Sequence, residues 1–111
     1  MFDRLAQKIL KREKAKGKIN IKLMGDGEIR ELNRKFRKKD KATDVLAFPL
    51  KEEGILGDIA ISTETTGRNA KRYGISYKSE LKRLVVHGVL HLLGYDHGRK
   101  MSDAEKIYQK L

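Results

Sequence analysis

Residues 84–93 read Leu-Val-Val-His-Gly-Val-Leu-His-Leu-Leu, apolar on every side of a helix apart from two histidines. A helix without a polar face cannot lie on a protein surface. The segment therefore predicts a buried central helix around which the rest of the chain is laid. Ser76 is placed to cap its start and Gly94 follows its end, since glycine accepts the positive φ of a helix-terminating turn.

The flanking segments supply what such a helix needs as partners. Phe2, Leu5, Ala6, Ile9 and Leu10 recur at helical spacing and stop before Gly17, predicting an amphipathic helix. Ile19, Ile21 and Leu23 alternate with polar residues as a half-buried strand does. Gly25-Asp26-Gly27 turns the chain, Asp26 is a plausible N-cap, and Ile29, Leu32, Asn33 and Phe36 mark one face of a second helix ending in a basic run over residues 34–41. Residues 45–48 form a short strand closed by Pro49. Ile55, Gly57, Ile59 and Ile61 alternate as its hairpin partner. Ser62 or Thr63 can cap a helix ending at Gly74. Ser102-Asp103-Ala104-Glu105 has the form of a capping box before a last helix with Ala104, Ile107, Tyr108 and Leu111 on one face. The sum is one α+β domain over residues 1–111, a small mixed sheet packed around a buried central helix.

All three histidines of the chain fall between residues 87 and 97, in H-G-V-L-H-L-L-G-Y-D-H. Residues four apart on a helix lie on one face, so His87 and His91 can present nitrogens to a single metal. His97 can return from the Gly94 turn as third ligand. Three neutral ligands leave a fourth position open, the coordination of a catalytic zinc, which lowers the pKa of a bound water to about 7. Core histidines using their polar handles are the plainer reading. Two imidazoles inside an apolar helix, each costing a few kcal/mol if unpaired, favour one zinc ion per chain. The absence of cysteine leaves only His, Asp and Glu as ligands.

The spacing is that of the metzincin protease motif H-E-x-x-H-x-x-G-x-x-H, and the predicted fold is zincin-like, but Gly88 stands where those proteases keep the glutamate that takes a proton from water. That step is lost. Lewis-acid chemistry survives. Lys and Arg number 26 against 15 Asp and Glu, a net charge of +11, which points to a polyanionic partner.

The histidine motif resembles the YbeY family of bacterial endoribonucleases, together with Leu32-Asn33, Phe36-Arg37, Lys39-Asp40, Thr43-Asp44-Val45-Leu46, Phe48-Pro49 and Leu56-Gly57-Asp58-Ile59. These blocks cover much of residues 32–97 in the family's order. The resemblance implies zinc-dependent cleavage of single-stranded RNA, with a role in maturing small-subunit ribosomal RNA and in ribosome quality control. It implies His87, His91 and His97 as metal ligands and Arg37 as a functional arginine. Ala42 replaces a usual proline, which loosens a turn without removing a reactive group. The chain is short for the family at its N-terminus: an earlier strand is expected where its first helix begins at Phe2.

Two other function classes fit parts of the pattern. A metalloprotease shares the ligand spacing and could hold an extended peptide on an edge strand at residues 45–48; Gly88 and the +11 charge oppose it. A ribosome-associated RNA-binding module, with the metal only pinning the central helix, needs the same basic surface. Several single residues also have two readings. Asp96 either orients a ligand histidine or caps the turn. Asp58 reads as a strand or turn feature, Met101 as ordinary packing, and most tyrosines as core, Tyr95 alone lying beside the metal motif. The general base is unassigned, and a 2′-hydroxyl of the RNA is an alternative nucleophile. No apolar run approaches the ~20 residues of a membrane span. The basic first helix carries Asp3 and Glu13 and no serine, which is unlike a transit peptide, and the expected location is cytoplasmic.

Overall fold

A computed structural model of the chain describes residues 2–111, Lys51 by its backbone alone. The elements follow in the order α1 (Asp3–Arg12), β1 (Lys18–Met24), α2 (Asp26–Arg37), β2 (Val45–Glu52), β3 (Ile55–Ser62), α3 (Thr63–Tyr73), α4 (Tyr77–Leu92) and α5 (Arg99–Tyr108). The sheet order is β1-β3-β2: β1 runs parallel to β3, and β2 antiparallel to it as a hairpin. The sheet is mixed, as expected.

Side-chain alternation along β3 separates two cores. Ile59 and Ile61 face α4 and join Leu81, Leu84, Val85, Val86, Val89 and Leu90, together with the apolar stripe of α1 and with Met101, Ala104 and Tyr108 of α5. Ala60 points the other way, where Leu46 and Ile29 of α2 form a smaller cluster. The apolar residues of the central helix are therefore buried against the sheet, α1 and α5. Met101 is buried in this packing.

Ser62 and Ser76 each accept a hydrogen bond from the backbone N–H three residues on, capping α3 and α4, and Gly74 ends α3 in the left-handed conformation. At the end of α4, Gly94 has φ +94°, and the N–H groups of Gly94 and Tyr95 bond back to the carbonyls of His91 and Leu90. This six-to-one and five-to-two pairing satisfies the last carbonyls and reverses the chain after the helix.

Four expectations are corrected. Asp26 is the first residue of α2 rather than its N-cap: Gly25 holds that position, and Glu64 of α3 accepts the Asp26 backbone N–H at 2.8 Å. The Asp26 carboxylate is taken instead by Ser62, Thr65 and Arg68. Strand β2 continues past Pro49 to Glu52, because it is an edge strand where a missing N–H breaks no ladder, although the register shifts between Pro49 and Glu52. Helix α5 begins at Arg99, three residues before the supposed capping box, because Gly98 at φ +145° turns the chain directly into it. Ile107 and Leu111, expected on the buried face, are exposed. Among the described residues no helix is long and apolar enough to cross a membrane.

Candidate metal centre

Helix α4 carries His87 and His91 one turn apart on the same face, and the Gly94 turn brings His97 back over them. The Nε2 atoms of His87 and His91 are 3.0 Å apart. A metal bonded to two imidazoles at 2.0–2.1 Å with a tetrahedral angle holds their nitrogens about 3.3 Å apart, so the pair is close to ligating separation. One nitrogen from each of the three histidines falls within a common 4.8 Å. His87 and His91 are half-buried and His97 is exposed. Three neutral nitrogen donors converging from a rigid helix and its following turn fit a metal with an open fourth position.

The electrostatics favour the ligating state. Burial pushes the His91 pKa below its ordinary value, helped by the neighbouring His87 and His97 and by Arg37, against a hydrogen bond with the Tyr95 backbone. A neutral imidazole is the form that binds metal. The Nδ1 of His87 lies 3.3 Å from Oε2 of Glu105 on α5. With Nε2 turned to the site, Nδ1–H donates to the carboxylate, which selects the tautomer and orients the ring. In the sequence Glu105 has the spacing of a capping box, and no local signal joins it to His87. Asp96, the other carboxylate beside the ligand histidines, is exposed.

A cleft of about 370 Å³ opens over the histidines, lined also by Arg37, Thr43, Asp44, Val45, Ala47, Pro49 and Gly88. Arg37 is the last residue of α2. Arg30 and Arg34 on the same helix are paired with Asp40 and Glu31, whereas Arg37 has no hydrogen bond or ion pair among the described residues. The loop that brings residues 43–44 to the cleft is tied down by buried Asn33, whose amide donates to the Lys41 carbonyl at 2.9 Å. Asp44 is fixed in turn by the Val45 N–H, by Thr43 and by Asn69, which also donates to fully buried Glu80. Arg83 closes the network with two hydrogen bonds to Glu80.

Gly88 explains itself at this point. A Cβ there would meet Ile59 side-chain atoms at 2.8, 3.0 and 3.2 Å. The helix approaches the sheet too closely for the glutamate of a metzincin, so the departure from that motif is built into the packing. Asp58 accepts from Asn20 and Lys22 of β1 and is a sheet feature. Tyr95 of the Gly94 turn and Tyr108 of α5 both donate to Glu13, the residue that ends α1, holding that turn and α5 against the first helix. Burial and that hydrogen bond push the Tyr108 pKa up to about 12.

Residues 1–110 match the family described as Endoribonuclease YbeY. A relative of that name from Aquifex aeolicus is 50% identical over 97 residues, covering 84% of this chain and 64% of the relative. One from Persephonella marina is 45% identical over 96 residues, covering 81% and 63%. The chain thus spans just under two thirds of the length of these curated relatives. A solution structure of a Thermotoga maritima protein superposes with a TM-score of 0.72 at 36% identity, over 98% of this chain and 79% of that one. From the family match and these identities, the chain belongs to the YbeY family.

Proposed function

We propose that residues 1–111 act as one zinc-dependent endoribonuclease domain, with single-stranded RNA as substrate and small-subunit ribosomal RNA and the small ribosomal subunit as cytoplasmic partners. The observation that carries this reading is an unpaired arginine, Arg37, in the same cleft as three convergent histidines. A planar guanidinium matches the two free oxygens of a phosphodiester, whereas a scissile peptide offers it a single carbonyl oxygen.

His87, His91 and His97 are the proposed ligands of one zinc ion, which when bound supplies Lewis acidity toward a phosphoryl oxygen or an activated water. Glu105 keeps His87 in the tautomer whose Nε2 lone pair faces the site. Arg37 holds the phosphate in the cleft and stabilises the charge that builds on it as the bond to the leaving oxygen breaks. The net charge of +11 draws the polyanion in, and it separates this reading from a peptide hydrolase.

The test is Arg37→Lys, which keeps the charge and loses the bidentate fork. RNA cleavage should fall about ten- to a thousandfold, as on loss of one electrostatic catalytic group, with zinc content unchanged. Cleavage retained in both Arg37→Lys and Arg37→Ala, in folded and metal-loaded protein, would remove the role and leave an RNA-binding module as the better account.

A further inference from the structure

Phe36 is 60% exposed at the C-terminal end of α2, an unusual position for one of only seven aromatic residues in a chain without tryptophan. Its helical spacing with Ile29, Leu32 and Asn33 predicts a place on the buried face of α2. Instead it meets Phe48 edge-on, with ring centroids 5.4 Å apart and planes at 62°, and leaves most of its surface in water. Phe48 lies on the face of β2 opposite Val45, Ala47 and Pro49, the residues that line the cleft. The two rings therefore stand just across the edge strand from the histidines.

The surroundings are cationic. Arg37, next in the chain, lines the cleft; Arg34, Lys35, Lys38 and Lys39 are exposed on the same helix end and the loop after it. The Lys35 ammonium lies 5.6 Å from the Phe36 centroid. Of the exposed aromatic residues Phe36, Tyr73 and Tyr77, only Phe36 adjoins a residue of the cleft. An apolar ring offered to solvent among exposed cations matches a single-stranded nucleic acid, whose bases have π-faces and whose backbone is anionic. It matches a duplex poorly, because there the bases are stacked on one another.

We propose that Phe36, braced by Phe48, is a stacking platform for an unpaired base of the strand that leaves the cleft past Arg37. The platform rests on the reading of the cleft as an RNA site, and it gives that site a physical reason to prefer single strands. Stacking accepts any base, so the platform selects strandedness and not sequence.

Phe36→Trp introduces a sole tryptophan at the platform, and its fluorescence reports directly on stacking. The probes are a short single-stranded oligodeoxyuridylate and the matching abasic oligomer with the same phosphates, added to the zinc-loaded protein. The expected result is quenching by the first and little by the second. Phe36→Leu, which keeps an apolar contact with Phe48, should bind the oligodeoxyuridylate about five- to a hundredfold more weakly, while the log-log dependence on salt keeps its slope because no phosphate contact is lost. Oligodeoxyuridylate that binds without quenching, or with equal affinity for Phe36→Leu and wild type, would overturn the platform and leave the RNA reading intact. A wild-type protein that neither binds single strands nor cleaves RNA would overturn both.

Discussion

Glu105 Oε2 stands 3.3 Å from Nδ1 of His87, on the side of the ring away from the Nε2 that faces His91. Such a carboxylate orients a metal-bound imidazole and raises its basicity, and removing one typically costs ten- to a hundredfold in metal affinity. Glu105→Ala should weaken zinc binding by about that factor, measured by competition with a chelator, and Glu105→Gln should fall between the two because its amide oxygen still accepts from Nδ1–H. Equal affinity in all three proteins would show that α5 supports the fold and not the site.

The contact between Gly88 and Ile59 gives a stability prediction. An added Cβ would lie 2.8 Å from Ile59 Cγ2, in a fully buried side chain that has little room to yield. Overpacking of this kind costs about 1–3 kcal/mol, offset by up to about 1 kcal/mol from the better helix propensity of alanine. Gly88→Ala should therefore lower stability in urea by up to about 2 kcal/mol, and should not gain the stability that alanine brings to an open helix position. A variant more stable than wild type by about 1 kcal/mol, the full helix-propensity gain of alanine, would mean that α4 can move off the sheet, and that the missing glutamate has some cause other than space.

The metal site is legible in the sequence because its ligands are local: His87 and His91 share a helix face, and Gly94 announces the turn that returns His97. The capping serines 62 and 76 are legible for the same reason, being read within four residues. What escaped was decided by distant partners. Asp26 has the look of a cap, but Ser62, Thr65 and Arg68, 36 to 42 residues away, claim its carboxylate. Ser102 and Glu105 have the spacing of a capping box, yet Gly98 starts the helix earlier and frees Glu105 for His87. Pro49 ends a strand only if that strand is central, and the order β1-β3-β2 puts it at the edge. The exposure of Phe36 was hidden because an apolar residue at core spacing carries no local mark of facing water.

Asp26 should show itself in the pH dependence of stability. Hydrogen bonds from Ser62, Thr65 and Arg68 hold its pKa at about 2 against an ordinary 3.8. The folded state thus binds fewer protons at this site than the unfolded state, so the contribution is fully present above the unfolded value. It is lost as pH falls through 3.8 towards 2. The melting-temperature difference between wild type and Asp26→Asn should be largest above about pH 5 and shrink steadily towards pH 2. A difference independent of pH would mean that the hydroxyl and guanidinium contacts do not depend on the charge.

Glu80 is fully buried, and its carboxylate is shared between Arg83 and the amide of Asn69, which reaches Asp44 at the cleft. Arg83 is 37% exposed and can turn to water, whereas the Asn69 amide loses a buried acceptor. Glu80→Ala should destabilise the fold by about 1–3 kcal/mol in chemical denaturation. Its zinc content at low temperature should match wild type, since Glu80 makes none of the hydrogen bonds to the three histidines. Stability within about 0.5 kcal/mol of wild type, the range of ordinary surface substitutions, would show that the network is dispensable.

Cutting of RNA at the three-histidine centre is tested by cleavage of a single-stranded RNA by zinc-loaded wild type and by His91→Ala purified side by side. Wild type should cleave, stop when a chelator removes the metal, and resume when zinc is restored. His91→Ala, folded but unable to retain the metal, should not rise above the buffer background. Equal cleavage by the two proteins, as a contaminating nuclease would give, or intact RNA with fully metal-loaded wild type, would contradict it.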